Sequence, residues 1–147
     1  MAHDDYEHML FYFAYQTFIK TADDLIKQHQ LNRQHHRFLF FICQKPGSTV
    51  SELLTILEIS KQGSHKTLKT LKEKQLIYEE SADFDRRHKQ LFPTDKGLEL
   101  IAILNQAQKA LLKNAIQKEG DKWTAVMEEL ARPRAGYYLA EALKKDR

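Results

Sequence analysis

Between Lys61 and Lys74, five lysines (Lys61, Lys66, Lys69, Lys72 and Lys74) stand against a single acid, Glu73. Gln62, His65 and Thr70 lie among them. Ammonium groups neutralise phosphates, a carboxamide can pair bidentately with adenine, and lysine can donate to guanine acceptors. A second cluster, Asp83-Phe84-Asp85-Arg86-Arg87-His88, sets two guanidinium groups side by side. Arginine carried on a projecting finger suits the narrow, strongly negative minor groove, and Asp85 can orient one of the pair. The chemistry in view is recognition of a polyanion, not the making of bonds. The net charge is only +3, but its distribution is uneven. Over residues 1–30, Lys20 and Lys27 face Asp4, Asp5, Glu7, Asp23 and Asp24, so the positive charge collects on one short element.

Other chemistries fare worse. Ser64 and His65 cannot form a nucleophile–base pair, because adjacent side chains on a helix point about 100° apart. No glycine-rich phosphate loop or paired-carboxylate signature is present, so neither an enzyme nor a bound cofactor is expected. His29, His35 and His36 could gather with His3 or His8 around a metal, since imidazole suits zinc. Without a Cys-x-x-Cys or His-Glu-x-x-His pattern no metal site is expected, and a metal-responsive regulator stands as an alternative. Cys43, the one cysteine, lies in an apolar stretch and reads as core. The longest apolar run, Phe38 to Cys43, falls far short of the roughly 18 residues of a membrane span. The acidic start lacks the basic segment of a secretory signal, which makes the cytoplasm the expected location.

The elements that must position the two basic clusters follow from periodicity and caps. Apolar residues at helical spacing from Tyr6 to about Lys27 predict a long first helix. A second helix is expected over Asn32 to Lys45, stopped by Pro46-Gly47. Thr49-Val50-Ser51-Glu52 fits a capping box that opens a helix striped by Val50, Leu53, Leu54 and Leu57. After the turn Glu58-Ile59-Ser60, Ser60 caps a helix to about Lys74 that turns Ser64, Thr67, Leu68 and Leu71 inward. Two short helices joined in this way are a helix-turn-helix. Leu76–Glu79 and Lys89–Phe92 read as strands with a polar tip from Ser81 to His88. Thr94 then caps a long helix ending at Gly120, and a last helical stretch from Trp123 is interrupted at Pro133 and resumes over Tyr137 to Leu143. The fold class is mainly α: a winged helix-turn-helix with a small wing of two to three strands and a helical dimerisation region from both termini.

In order along the chain, Leu31 to Phe41, Thr49-Val50-Ser51-Glu52-Leu53-Leu54, Leu57-Glu58-Ile59-Ser60, Leu68 to Ile77, Asp85-Arg86-Arg87 and Leu91-Phe92-Pro93-Thr94-Asp95-Lys96-Gly97 resemble the MarR family of transcriptional regulators. The resemblance covers nearly the whole chain. It implies a single domain over 1–147, with 1–30 and 95–147 forming the dimerisation region and 31–94 the winged lobe. It further implies a homodimer straddling a pseudo-palindromic operator in double-stranded DNA, most often as a repressor released by a small aromatic effector. Gln62, Ser64, His65 and Lys66 match the family's base-reading positions and Arg87 its minor-groove arginine, with Lys61, Lys69 and Arg86 beside them. The effector cleft is placed between lobe and dimer helices, where Tyr12, Tyr15 and Phe38 would contribute. Three departures stand out: Gln75 replaces a helix-ending glycine, Gly63 lies inside the recognition helix, and Pro133 with Gly136 interrupts the terminal helix.

A dimer also follows from burial. The apolar stripes of Leu10 to Ile26, Leu98 to Ile116 and Trp123 to Leu143 exceed what a winged lobe needs, and a two-fold partner is the common way to cover them. The alternative function is a winged helix turned to protein binding, with the lysine helix against an acidic partner.

Overall fold

Local capping chemistry sets most of the boundaries in the computed structural model. It describes residues 3–82, 85–120 and 122–141, the side chains at 3–4, 82, 85–86 and 141 excepted. In chain order the elements are α1 (His3–Lys20), α2 (Asp23–Gln28), α3 (Arg33–Gln44), β1 (Ser48–Thr49), α4 (Val50–Leu57), α5 (Lys61–Glu73), β2 (Ile77–Ala82), β3 (Asp85–Pro93), α6 (Asp95–Glu119), α7 (Lys122–Ala131) and α8 (Ala135–Glu141). Thr49 forms the expected capping box: its hydroxyl accepts from the Glu52 amide at 3.1 Å, while Glu52 accepts from the Thr49 amide. Ser60 accepts from the Gly63 amide and Thr94 from the Gly97 amide, opening α5 and α6 as predicted. Asn32 and His35 form a reciprocal box at the start of α3, His35 Nδ1 accepting the Asn32 amide at 3.0 Å.

The expected single first helix is two helices. Its break at Thr21–Ala22 contains neither Gly nor Pro. The hydroxyls of Thr17 and Thr21 bond back to the carbonyls of Phe13 and Thr17, a pattern that bends helices. Asp23 then supplies a favourable acid at the N-terminus of α2, held by a two-pronged contact from Arg33 at 2.8 and 2.6 Å.

The core is organised around α3 and draws on α2 and α6 as well as on the segment between them. Phe38, Leu39 and Ile42 meet Leu53 of α4, Leu68 and Leu71 of α5, Leu91 of β3, and Leu100, Ile101 and Leu104 of α6. The antiparallel sheet has the order β1-β3-β2, with Tyr78 opposite Phe92 and Ser48 opposite Leu91. Both wing strands run further than predicted. The expected tip from Ser81 to His88 is therefore mostly strand, with a register irregularity between Ser81 and Ala82. Stacking of the Tyr78 and Phe92 rings, 5.4 Å apart, anchors the base of this ribbon.

Three helix ends adopt a left-handed residue that is not glycine: Gln30, Glu58 and Gln75, at φ of 58°, 55° and 60°. After α5, the Gln75 amide bonds to Lys72 O and the Leu76 amide to Leu71 O, the paired bonds of a Schellman motif. Leu71 and Leu76 are both buried, so the apolar contact fixes the stop where glycine would otherwise permit it. Gln75→Gly should therefore stabilise the fold by about 0.5–1 kcal/mol, the relief of the left-handed Cβ exceeding the added freedom of the unfolded chain. A denaturation midpoint that does not rise would show that Gln75 is unstrained.

The terminal stretch breaks near Pro133 as expected, and α8 begins at Ala135. It seats on α4, where a methyl on Gly136 would lie 2.5 Å from Ile56 Cα, and Arg134 pairs with Glu58 at 3.0 Å.

Candidate nucleic-acid interface

Helix α5 presents two chemically distinct sides. Ser64, Thr67, Leu68 and Leu71 are buried, as the periodicity requires. Lys61, Gln62, His65, Lys66 and Lys69 are exposed. Ser64 does not take the base-reading position expected from the resemblance. It is 1% exposed, and its hydroxyl donates to Lys61 O at 2.7 Å, so it serves the packing of the helix.

Between α5, the start of α4 and the wing runs an open groove of about 480 Å³. Lys61, His65, Lys69 and Lys72 line it from the helix, and Arg87 and Lys89 from β3. The wing thus brings Arg87 alongside α5. The side chain of Arg86 lies outside the described residues. Gln62 and Lys66 project from α5 outside the groove lining.

One residue here escaped sequence reasoning. Glu79 on β2 pairs with Lys72 of α5 and, at 3.7 Å, with Lys89 of β3, tying the helix to both wing strands. Its signal was available only as a charged residue alternating inward on a strand. The exposed Lys69–Glu73 contact at 4.0 Å contributes little by comparison.

A second concavity, about 650 Å³, opens among α1, α2, α3 and α6. Phe18, Phe40 and Phe41 give it apolar walls, while Arg37, His36 and Lys109 add polar groups. Of the three residues expected at an effector cleft, Tyr15 lines it. Phe38 does not: it is 1% exposed and packed into the core. Tyr12 is 57% exposed on α1, outside the lining, with its ring edge-on to Phe13. Two of the histidines considered as metal ligands have hydrogen-bond partners, His35 in its cap and His36 with Asn105 Oδ1 at 2.7 Å. Among the described residues no three His, Cys, Asp or Glu side chains stand together to hold a metal. Cys43 packs against the core, and burial pushes its thiol up to about 11, so it is not a thiolate at neutral pH.

Burial lowers the pKa of both His35 and His36 from the ordinary 6.5. For His35 the neighbouring charges of Lys74 and Lys66 act in the same direction. For His36 the Asn105 hydrogen bond opposes burial, and Arg37 adds to it. The unfolded chain then binds protons that the folded chain does not, so stability is complete above about pH 6.5 and falls as pH drops through the folded values. A thermal midpoint followed from neutral to acid pH should decline below that point. His36→Gln should flatten part of the decline, and an unchanged profile would remove His36 from the account.

Among the described residues no helix is long and apolar enough to cross a membrane. The sequence model of the MarR family matches residues 29–88, which include α3, α4, α5 and most of the wing. The HTH-type transcriptional regulator PetP of Rhodobacter capsulatus is 33% identical over 114 residues, covering 78% of this chain and 69% of that protein. Two solved structures share the fold. Streptococcus pneumoniae FabT, solved in complex with DNA, aligns with a TM-score of 0.71 at 18% identity over 97% of this chain and 99% of its own. The Staphylococcus aureus MepR–DNA complex aligns with a TM-score of 0.65 at 20% identity, over 86% of this chain and 96% of that one. With helix-turn-helix, wing and basic groove in the expected order, and with this likeness over most of its length, the chain belongs to the MarR family of transcriptional regulators.

Proposed function

We propose that this regulator works in the cytoplasm as a homodimeric repressor, binding a pseudo-palindromic operator and letting go when a small aromatic anion fills the cavity beside α3. The observation that carries the reading is the groove in which Lys61, His65 and Lys69 of α5 face Arg87 and Lys89 of the wing. A helix flanked by a cationic finger can place side chains at base edges while the finger engages the adjacent backbone or minor groove. Gln62, His65 and Lys66 are the base readers in this account. Lys61, Lys69, Arg87 and Lys89 neutralise phosphate or enter the minor groove, with Arg86 beside them on the wing.

Dimerisation answers the exposure of α1 and α7. Leu10, Phe11, Tyr12 and Phe13, together with Trp123, Val126 and Leu130, are exposed in the single chain. A second copy would cover them and set two recognition helices about one DNA turn apart. For the effector, Arg33 is engaged by Asp23, which leaves Arg37 and Lys109 to meet an anion, while Tyr15, Phe18, Phe40 and Phe41 suit an aromatic ring.

The test is enrichment of duplexes from a randomised pool, followed by titration of the enriched and random sequences across salt concentrations. Selective, steeply salt-dependent binding supports the reading. Equal affinity for every duplex would favour a protein-binding module instead.

A further inference from the structure

Four of the five glycines have a reason inside the chain. Gly47 and Gly120 sit at φ of 89° and 88°, and a methyl on Gly97 or Gly136 would drive into the backbone of Leu76 or Ile56. Gly63 has none. It is exposed in the first turn of α5 with ordinary helical backbone, and a methyl there would meet only Ser60 Oγ, at a comfortable 3.5 Å. Glycine at a helical position nevertheless costs about 1 kcal/mol relative to alanine.

The same residue is held on both sides. Its amide donates to Ser60 Oγ at 3.3 Å, and its carbonyl accepts from Gln34 Nε2 at 3.0 Å. The Gln34 contact crosses from α3, so the position of this turn is set by a neighbouring helix as well as by its own cap. A backbone stripped of its side chain and fixed from two directions, between the exposed Gln62 and Lys66, is arranged for something outside the chain to come close.

We propose that Gly63 is a close-approach position, where α5 meets the edge of duplex DNA with bare backbone, and that Gln34 is the positioning residue that sets how far this turn advances. The inference rests on the reading of α5 as the recognition helix. It adds a specificity determinant that carries no charge and no side-chain donor.

Gly63→Ala, Gln34→Ala and the double variant test it, titrated against a duplex enriched by the wild-type protein and against random duplex, with thermal unfolding alongside. Gly63→Ala should unfold no earlier than wild type, yet lose about tenfold in affinity for the enriched duplex, the equivalent of one well-made base contact. Its salt slope should not change, because no charge is altered. Gln34→Ala should also weaken selective binding with an unchanged slope, but should cost nothing further in the Gly63→Ala background, a coupling that a merely structural glutamine would not show. Full affinity in Gly63→Ala, or a lowered unfolding temperature, overturns the close-approach role. Fully additive losses overturn the role of Gln34. If the wild-type protein enriches no sequence, the recognition-helix reading itself fails and this inference with it, an outcome distinct from normal selection by wild type and variant alike.

Discussion

Gly97→Ala should be among the most damaging single-methyl additions in this chain, costing about 3 kcal/mol or more through overpacking against backbone that cannot yield. The added carbon would fall far inside contact distance of Leu76 O and 3.4 Å from Leu39 Cδ1 in the core. That carbonyl already accepts from the Thr94 amide at 3.0 Å. Thr94 Oγ1 donates to Gln75 O at 2.7 Å, and Lys96 Nζ reaches Lys74 O at 3.0 Å. Three successive carbonyls at the end of α5 are thus tied to the first turn of α6, and the methyl forces that joint apart. Chemical denaturation compared with a Gly63→Ala control measures the effect. A loss under 1 kcal/mol would mean that the two helices slide apart easily, contrary to this network.

Removing Lys61, Lys69 and Arg87 together by alanine substitution should weaken binding to every duplex by about a hundredfold or more at low salt, and reduce the log–log salt slope by about 5 for the proposed dimer, which loses the three cations from each subunit. The three side chains converge on one groove from a helix and a strand. Their loss removes counterion release without touching Gln62 or the core. Lys113→Ala with Lys118→Ala, exposed positions of α6 outside that groove, provides the charge control. If this control lowers the slope as much as the groove variants do, the effect belongs to overall charge and the groove assignment fails.

Where a boundary depends on a side chain meeting a nearby amide, the sequence showed it. Thr49, Ser60 and Thr94 cap the helices assigned to them, and Gly120 ends α6. Boundaries set by tertiary contact were hidden. The break after Lys20 depends on two threonine hydroxyls turning to the backbone, and the stops at Gln30 and Gln75 on apolar residues that follow, Leu31 and Leu76, being buried. The wing strands outran their apolar pattern because antiparallel pairing tolerates polar residues on an exposed ribbon. At the site, helical spacing placed the cationic side of α5 correctly and buried Ser64, where the family position alone pointed outward. Aromatic content could not separate Phe38, a core residue, from Phe40 and Phe41 on the cavity wall, because the three lie within one turn of α3. The role of Glu79 was hidden for a different reason: its two lysine partners come from other elements.

The aromatic face of α1, with Phe11, Tyr12 and Phe13 each more than half exposed, has a thermodynamic consequence if a second copy supplies its cover. Folding is then linked to association by mass action, so dilution costs stability and the melting temperature climbs with protein concentration. The number of molecules in a cell would set, at once, how many are assembled and how many survive intact, making abundance itself part of the regulator's response.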